Sequence, residues 1–143
     1  WPRGKAPLAR RTSRFKRTEK VADFGPVILS ATFALHEEDE ASIRERAADY
    51  GKRRAERQPG GMSAGSVFKR TEQYPAGFLI ENAGLKGRGV WGSVVSRKHA
   101  NFIINSGTAT AQDVRELIEI VRETVHEKFG IDLELEIELV GDC

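Results

Sequence analysis

Apolar and polar positions along this chain alternate with two different periods. At residues 111–129, Val114, Leu117, Ile118, Val121 and Val125 recur at spacings of three and four. That stripe predicts an amphipathic helix. Thr110 can cap it, Asp113 stands three residues on as in a capping box, and Gly130 occupies the position of a left-handed stop residue. Over residues 131–140 the period changes to two. Leu133, Leu135, Ile137 and Leu139 face one way, and Glu134, Glu136 and Glu138 face the other, which predicts a strand with one buried face. A second alternating run follows Pro26, with Val27, Leu29, Ala31, Phe33 and Leu35 on one side, and predicts a strand over residues 27–35.

Between these runs, residues 41–57 read as a helix with Ile43, Ala47 and Tyr50 on its apolar side. Gln58-Pro59-Gly60-Gly61 ends it, because proline disfavours a helical residue before it. Residues 63–69 read as a turn entering a short strand, and residues 76–82 as a short helix stopping near Gly84. Residues 90–95 and 101–105 read as short strands separated by the polar Ser96-Arg97-Lys98-His99. Strands interspersed with two long helices predict an α+β domain: a mixed or antiparallel sheet with helices 41–57 and 111–129 packed on it.

Composition narrows the class without naming a function. The chain has 143 residues, 39% hydrophobic and 31% charged, with a net charge of +2. These values fit an ordinary globular chain, and +2 is too small to name a partner. No apolar run approaches the roughly 20 residues that span a bilayer, so no membrane partner is expected. The only cysteine is Cys143, which excludes an internal disulfide and fits a reducing, cytoplasmic setting. Charge is uneven. From Arg3 to Lys20 there are eight basic residues and one acidic residue, Glu19. Such a run reads either as an exposed segment or as a nucleic-acid arm, and it carries few aromatics to stack on bases.

Two stretches carry candidate chemistry. Ser63-Ala64-Gly65-Ser66-Val67-Phe68 is a small-residue turn that can present the Ser66 hydroxyl in a pocket, or can hold a turn serine bonded to its own backbone. His99-Ala100-Asn101-Phe102 contains a histidine with no second histidine or cysteine at metal-ligand spacing, so no metal is expected and a structural role is favoured for His99. Lys69 and Arg70 read as a surface pair or as cations for a diphosphate.

These motifs, taken in order, resemble the C-terminal part of the flavoprotein UDP-N-acetylenolpyruvoylglucosamine reductase family (MurB, UDP-N-acetylmuramate dehydrogenase). The resemblance runs from about Arg11 to Gly141. It includes Arg11-Thr12-Ser13-Arg14-Phe15-Lys16, Gln58-Pro59, the Ser63 to Lys69 turn, Gly84-Leu85-Lys86-Gly87, His99-Ala100-Asn101-Phe102 and Lys128-Phe129-Gly130-Ile131. It implies reduction of the enolpyruvyl group of UDP-N-acetylglucosamine enolpyruvate, with FAD as cofactor and NADPH as reductant, in cytoplasmic peptidoglycan synthesis. Carried over by motif position, the family's arginine, serine and glutamate are Arg11, Ser66 and Glu136. Without the family, Arg11 is one more arginine in a basic stretch, and Glu136 shares its face with Glu134 and Glu138.

The chain departs from the family pattern at three places. Arg10-Arg11 replaces the usual Tyr-Arg. Lys69-Arg70-Thr71 replaces Lys-Asn-Pro, whose asparagine contacts the UDP-sugar in the family. Arg88-Gly89-Val90-Trp91-Gly92 replaces a tyrosine-arginine pair and two glycines, so Trp91 is expected to repack the core or narrow a pocket. No glycine-rich loop for the cofactor's diphosphate is present. The resemblance therefore implies that residues 1–35 are the tail end of an FAD-binding domain and residues 36–143 a substrate-binding domain. Alone, the chain is expected neither to bind FAD tightly nor to turn over. Two competing readings are a stand-alone UDP-sugar-binding module and a basic nucleic-acid-binding protein.

Overall fold

Helix α3 (Ala111–Phe129) runs between its predicted ends. The Thr110 hydroxyl accepts from the Asp113 N–H, and the Asp113 carboxylate accepts from the Thr110 N–H, completing the capping box. Gly130 closes the helix at φ 65°, a left-handed conformation that glycine adopts without steric cost. The structure is a computed structural model and describes residues 29–141. The chain divides into two units, Trp1–Glu38 and Asp39–Cys143.

The second unit also contains α1 (Glu40–Arg57), α2 (Ala76–Asn82), β1 (Gly89–Val90), β2 (Ser93–Val95) and β3 (Ile103–Asn105). The strands form an antiparallel sheet in the order β1-β2-β3. Val90 pairs with Ser93, and Val94 pairs with Ile104. Leu117, Ile118, Val121 and Val125 on α3 are buried against Leu79 and Ile80 of α2 and against Val90, Val95 and Ile103 of the sheet. Phe68 and Leu133 complete this core, and Val114 packs at its margin. The expected α+β class and antiparallel sheet hold.

Several local expectations do not. The predicted strand at residues 90–95 is a hairpin that turns at Trp91-Gly92. Trp91 has φ 46° and is 92% exposed, so it neither repacks the core nor narrows a pocket. Gly92, beside it in the turn, lies close against another stretch of backbone. A Cβ on Gly92 would stand 2.4 Å from the Ala109 nitrogen and 2.7 Å from the Thr108 carbonyl carbon, both backbone atoms that cannot move independently. Gly92→Ala is therefore expected to destabilise the unit by about 1–3 kcal/mol. A thermal melt of that variant at the wild-type midpoint would refute this close approach.

Helix α1 forms where the pattern predicts, with Asp39 capping the Ser42 N–H at 3.0 Å. It was expected to pack on the sheet, yet it buries none of its residues, and Ile43 and Tyr50 are exposed. Three apolar positions among many charges make a stripe too narrow to seat a helix on a sheet. The predicted strand at 131–140 reduces to one bridge, Leu135 opposite Phe68. Of its apolar face Leu133 is buried, Leu135 and Ile137 are half-buried, and Leu139 is exposed.

In the first unit, residues 29–38 carry no regular structure, and Leu29, Phe33 and Leu35 are all exposed. The strand expected at 27–35 is thus not formed over its described part; Val27 and Ile28 lie outside the described residues. Alternation supplies a face but not a partner, and a strand persists only where neighbouring N–H and C=O groups pair with its own.

Candidate functional site

Residues 66–69 run between two other chain segments. On one side Ser66 bridges Phe102, and the Val67 N–H donates to the Asn101 carbonyl at 2.9 Å. On the other side the Lys69 N–H donates to the Glu134 carbonyl, and the Glu136 N–H donates to the Val67 carbonyl, each at 2.8 Å. This arrangement holds the turn at Gly65-Ser66 from both flanks. Gly65 sits at φ 87°, which lets the chain swing from the loop into the paired segment.

The turn opens onto a cleft of about 810 Å³. Its far wall is the C-terminal half of α1, with Gly51, Arg54 and Ala55, and its floor includes Ser66 and Phe102. Lys98 closes one side and donates its ammonium to the Ala55 carbonyl in the last turn of α1, a favourable place for a cation. Arg54 is tethered by its Nε to Gln58 Oε1 at 3.0 Å. Among the described residues, Arg54 and Lys98 are the charged side chains lining the cleft, and no acidic one does. Small residues, a hydroxyl and two cations suit an anionic, hydroxyl-rich ligand.

The sequence-derived candidates fall in different places. Ser66 lines the cleft and is half-buried, and its hydroxyl has no hydrogen bond among the described residues. Glu136 lies on the adjoining segment, half-buried with its Oε2 fully enclosed, and it does not line the cleft. The structure thus brings the two backbones together but not both side chains into one pocket. Lys69 is ion-paired with Glu134 and Arg70 is exposed; neither lines the cleft. Arg11 and the basic run of residues 3–20 lie outside the described residues. His99 is structural, as expected: its Nδ1 accepts from the Asn101 N–H at 3.2 Å, and its ring meets Phe102 edge-on at 4.9 Å. Among the described residues no cluster of His, Cys, Asp or Glu suits a metal ion, and no helix is long and apolar enough to cross a membrane.

Sequence reading missed Arg54, Lys98 and Asn101. Arg54 and Lys98 are two cations in a chain with 23 lysines and arginines, and spacing does not single them out. Asn101 did carry a signal, as a polar residue set between Ala100 and the apolar Phe102-Ile103-Ile104.

The family model for the UDP-N-acetylenolpyruvoylglucosamine reductase C-terminal domain matches residues 57–140. The chain is 50% identical over 119 residues to the UDP-N-acetylenolpyruvoylglucosamine reductase of Clostridium novyi, covering 82% of this chain and 39% of that protein. It is 46% identical over 136 residues to the reductase of Geobacillus kaustophilus, covering 94% of this chain and 43% of that one. The crystal structure of the reductase from Thermus caldophilus superposes with a TM-score of 0.61 at 40% identity, covering 73% of this chain and 37% of that structure. The chain therefore spans about two fifths of the length of the curated relatives it matches. The fold and the sequence lead to the same place: the chain belongs to the UDP-N-acetylenolpyruvoylglucosamine reductase family, whose C-terminal domain it carries.

Proposed function

We propose that this chain is the substrate-binding part of a UDP-N-acetylenolpyruvoylglucosamine reductase acting in cytoplasmic peptidoglycan synthesis. One observation carries the reading: a serine with an uncommitted hydroxyl faces a cleft whose charged walls are cationic. The substrate, UDP-N-acetylglucosamine enolpyruvate, carries a diphosphate and a carboxylate, and Arg54 and Lys98 offer charge-assisted hydrogen bonds to such groups. Lys69 and Arg70 flank the same turn. Arg70 is the freer of the two, since Lys69 is held by Glu134.

Residues 1–35 are assigned to the end of an FAD-binding domain and residues 36–143 to the substrate domain. The described residues present no glycine-rich loop leading from a strand into a helix, so they do not fit the FAD diphosphate. FAD and NADPH, which supply the reducing equivalents, are assigned to the part of the relatives' length that this chain does not span. The chain's own contribution is acid–base and electrostatic. Ser66 hands a proton to the carbon next to the one that takes the hydride, and the Arg11 guanidinium stabilises the charge that develops on the enolpyruvyl carboxylate, with Glu136 the third member of the set.

The test compares the chain alone with the chain joined to the N-terminal half of a relative. NADPH oxidation that depends on FAD and on the enolpyruvyl substrate is expected only in the joined protein, and turnover by the 143-residue chain alone would overturn the assignment. Titration of the substrate into the joined protein is expected to show binding weakened about 10-fold or more by Arg54→Gln with Lys98→Gln. An unchanged affinity would move the diphosphate out of this cleft. The match to a reductase domain does not favour a stand-alone binding module or a nucleic-acid-binding protein.

A further inference from the structure

The Asn101 side chain makes two hydrogen bonds to one residue far away in sequence. Its Oδ1 accepts from the Phe68 N–H at 2.9 Å, and its Nδ2 donates to the Phe68 carbonyl at 2.8 Å. Only this orientation of the carboxamide satisfies both groups. Residue 68 needs such a partner. On its Leu135 side the ladder bonds come from Val67 and Lys69, so the Phe68 N–H and C=O point the other way. There the chain turns, closed by the Phe102 N–H donating to the His99 carbonyl at 3.0 Å, and offers no strand backbone to pair with. The carboxamide of Asn101, chemically the same group as a peptide, completes the ladder in its place.

Phe68 is 2% exposed and Asn101 8%, so water cannot replace these bonds. The same residue also holds the Val67 N–H through its backbone carbonyl. Three bonds from Asn101 therefore grip the two residues that follow Ser66. No other side chain among the described residues bonds to residues 66–68.

We propose that Asn101 is a positioning residue that sets where the Ser66 hydroxyl stands in the cleft. The inference rests on the reading of Ser66 as proton donor given above. If the carboxamide is lost, the segment after Ser66 keeps its Glu134 and Glu136 bonds and the backbone bond from Val67 to Asn101, but Phe68 loses both its partners on the cleft side, and the hydroxyl drifts. A displacement of about 1 Å at a reacting group costs on the order of 100-fold in rate.

The test is a double-mutant cycle in the chain joined to the N-terminal half of a relative, with Ser66→Ala, Asn101→Ala and the pair. Asn101→Ala is expected to lower kcat for enolpyruvyl reduction by about 100-fold, with KM and the rate of flavin reduction by NADPH little changed. In the Ser66→Ala background it is expected to add nothing. Full kcat in Asn101→Ala, or a loss that multiplies with that of Ser66→Ala, would overturn the proposal. Full kcat in Ser66→Ala would instead overturn the reading of Ser66 itself, and the inference with it. Asn101→Asp serves if the alanine variant does not fold. It keeps the acceptor toward the Phe68 N–H and regains a donor toward the Phe68 carbonyl only when protonated. Its kcat relative to wild type is expected to rise as pH falls, and a flat ratio would overturn the proposal.

Discussion

Leu117→Asp is expected to unfold the second unit. Leu117 lies at the centre of α3 with 0% of its surface exposed, against Ile80 and Val95 among others in one contiguous core. Removing its side-chain methyls costs about 2–5 kcal/mol by itself. Placing a carboxylate there adds the cost of a buried polar group with no partner, about 1–3 kcal/mol more. The carboxylate's charge raises that cost further, and domains of this size are stable by only about 5–15 kcal/mol. The check is a far-UV circular dichroism melt beside Glu123→Ala, an exposed position on the same helix. The control is expected to stay within about 0.5 kcal/mol of wild type. A cooperative transition of Leu117→Asp at the wild-type temperature would mean that α3 does not anchor the core.

Ser66→Ala is expected to have the largest effect on activity and almost none on stability. The hydroxyl has no bond to lose among the described residues, whereas the backbone pairing of residue 66 with Phe102 survives any side-chain change. The melting temperature should therefore remain within error of wild type. Removing a positioned general acid costs about 10²–10⁴-fold in rate. On the function proposed above, the loss in the protein joined to a relative's N-terminal half should fall on reduction of the enolpyruvyl substrate and spare flavin reduction by NADPH, because the proton is needed only after the substrate takes its hydride. Wild-type kcat in this variant would remove Ser66 from the chemistry and leave the cleft as a binding site alone. A matched loss of thermal stability would show instead that the hydroxyl holds the turn.

The contrast between these two residues follows how each was legible. Leu117 announces itself by period, because the apolar residues that share its stripe recur three and four apart along the same helix. Ser66 has no period and became a candidate only through its motif; the cleft beside it is made by residues as far off as Arg54 and Lys98. Glu136 shows the same limit. Its alternation with Glu134 and Glu138 assigns all three to one face, yet of the three only Glu136 is half-buried, the other two being exposed.

What the amino-acid order determined alone is the set of elements whose signals are local. These are the ends of α3 with its capping box and left-handed stop, the extent of α2, and the helical nature of α1. Each depends on bonds between residues three or four apart. Tertiary structure decided the rest: that residues 90–95 turn back at Gly92, that α1 buries nothing, and that residues 29–35 carry no regular structure. It also decided that Asn101 clasps Phe68 across 33 residues of chain. A helix satisfies its own backbone, whereas a strand or a clasping carboxamide is completed by groups distant in sequence, whose place only the folded chain supplies.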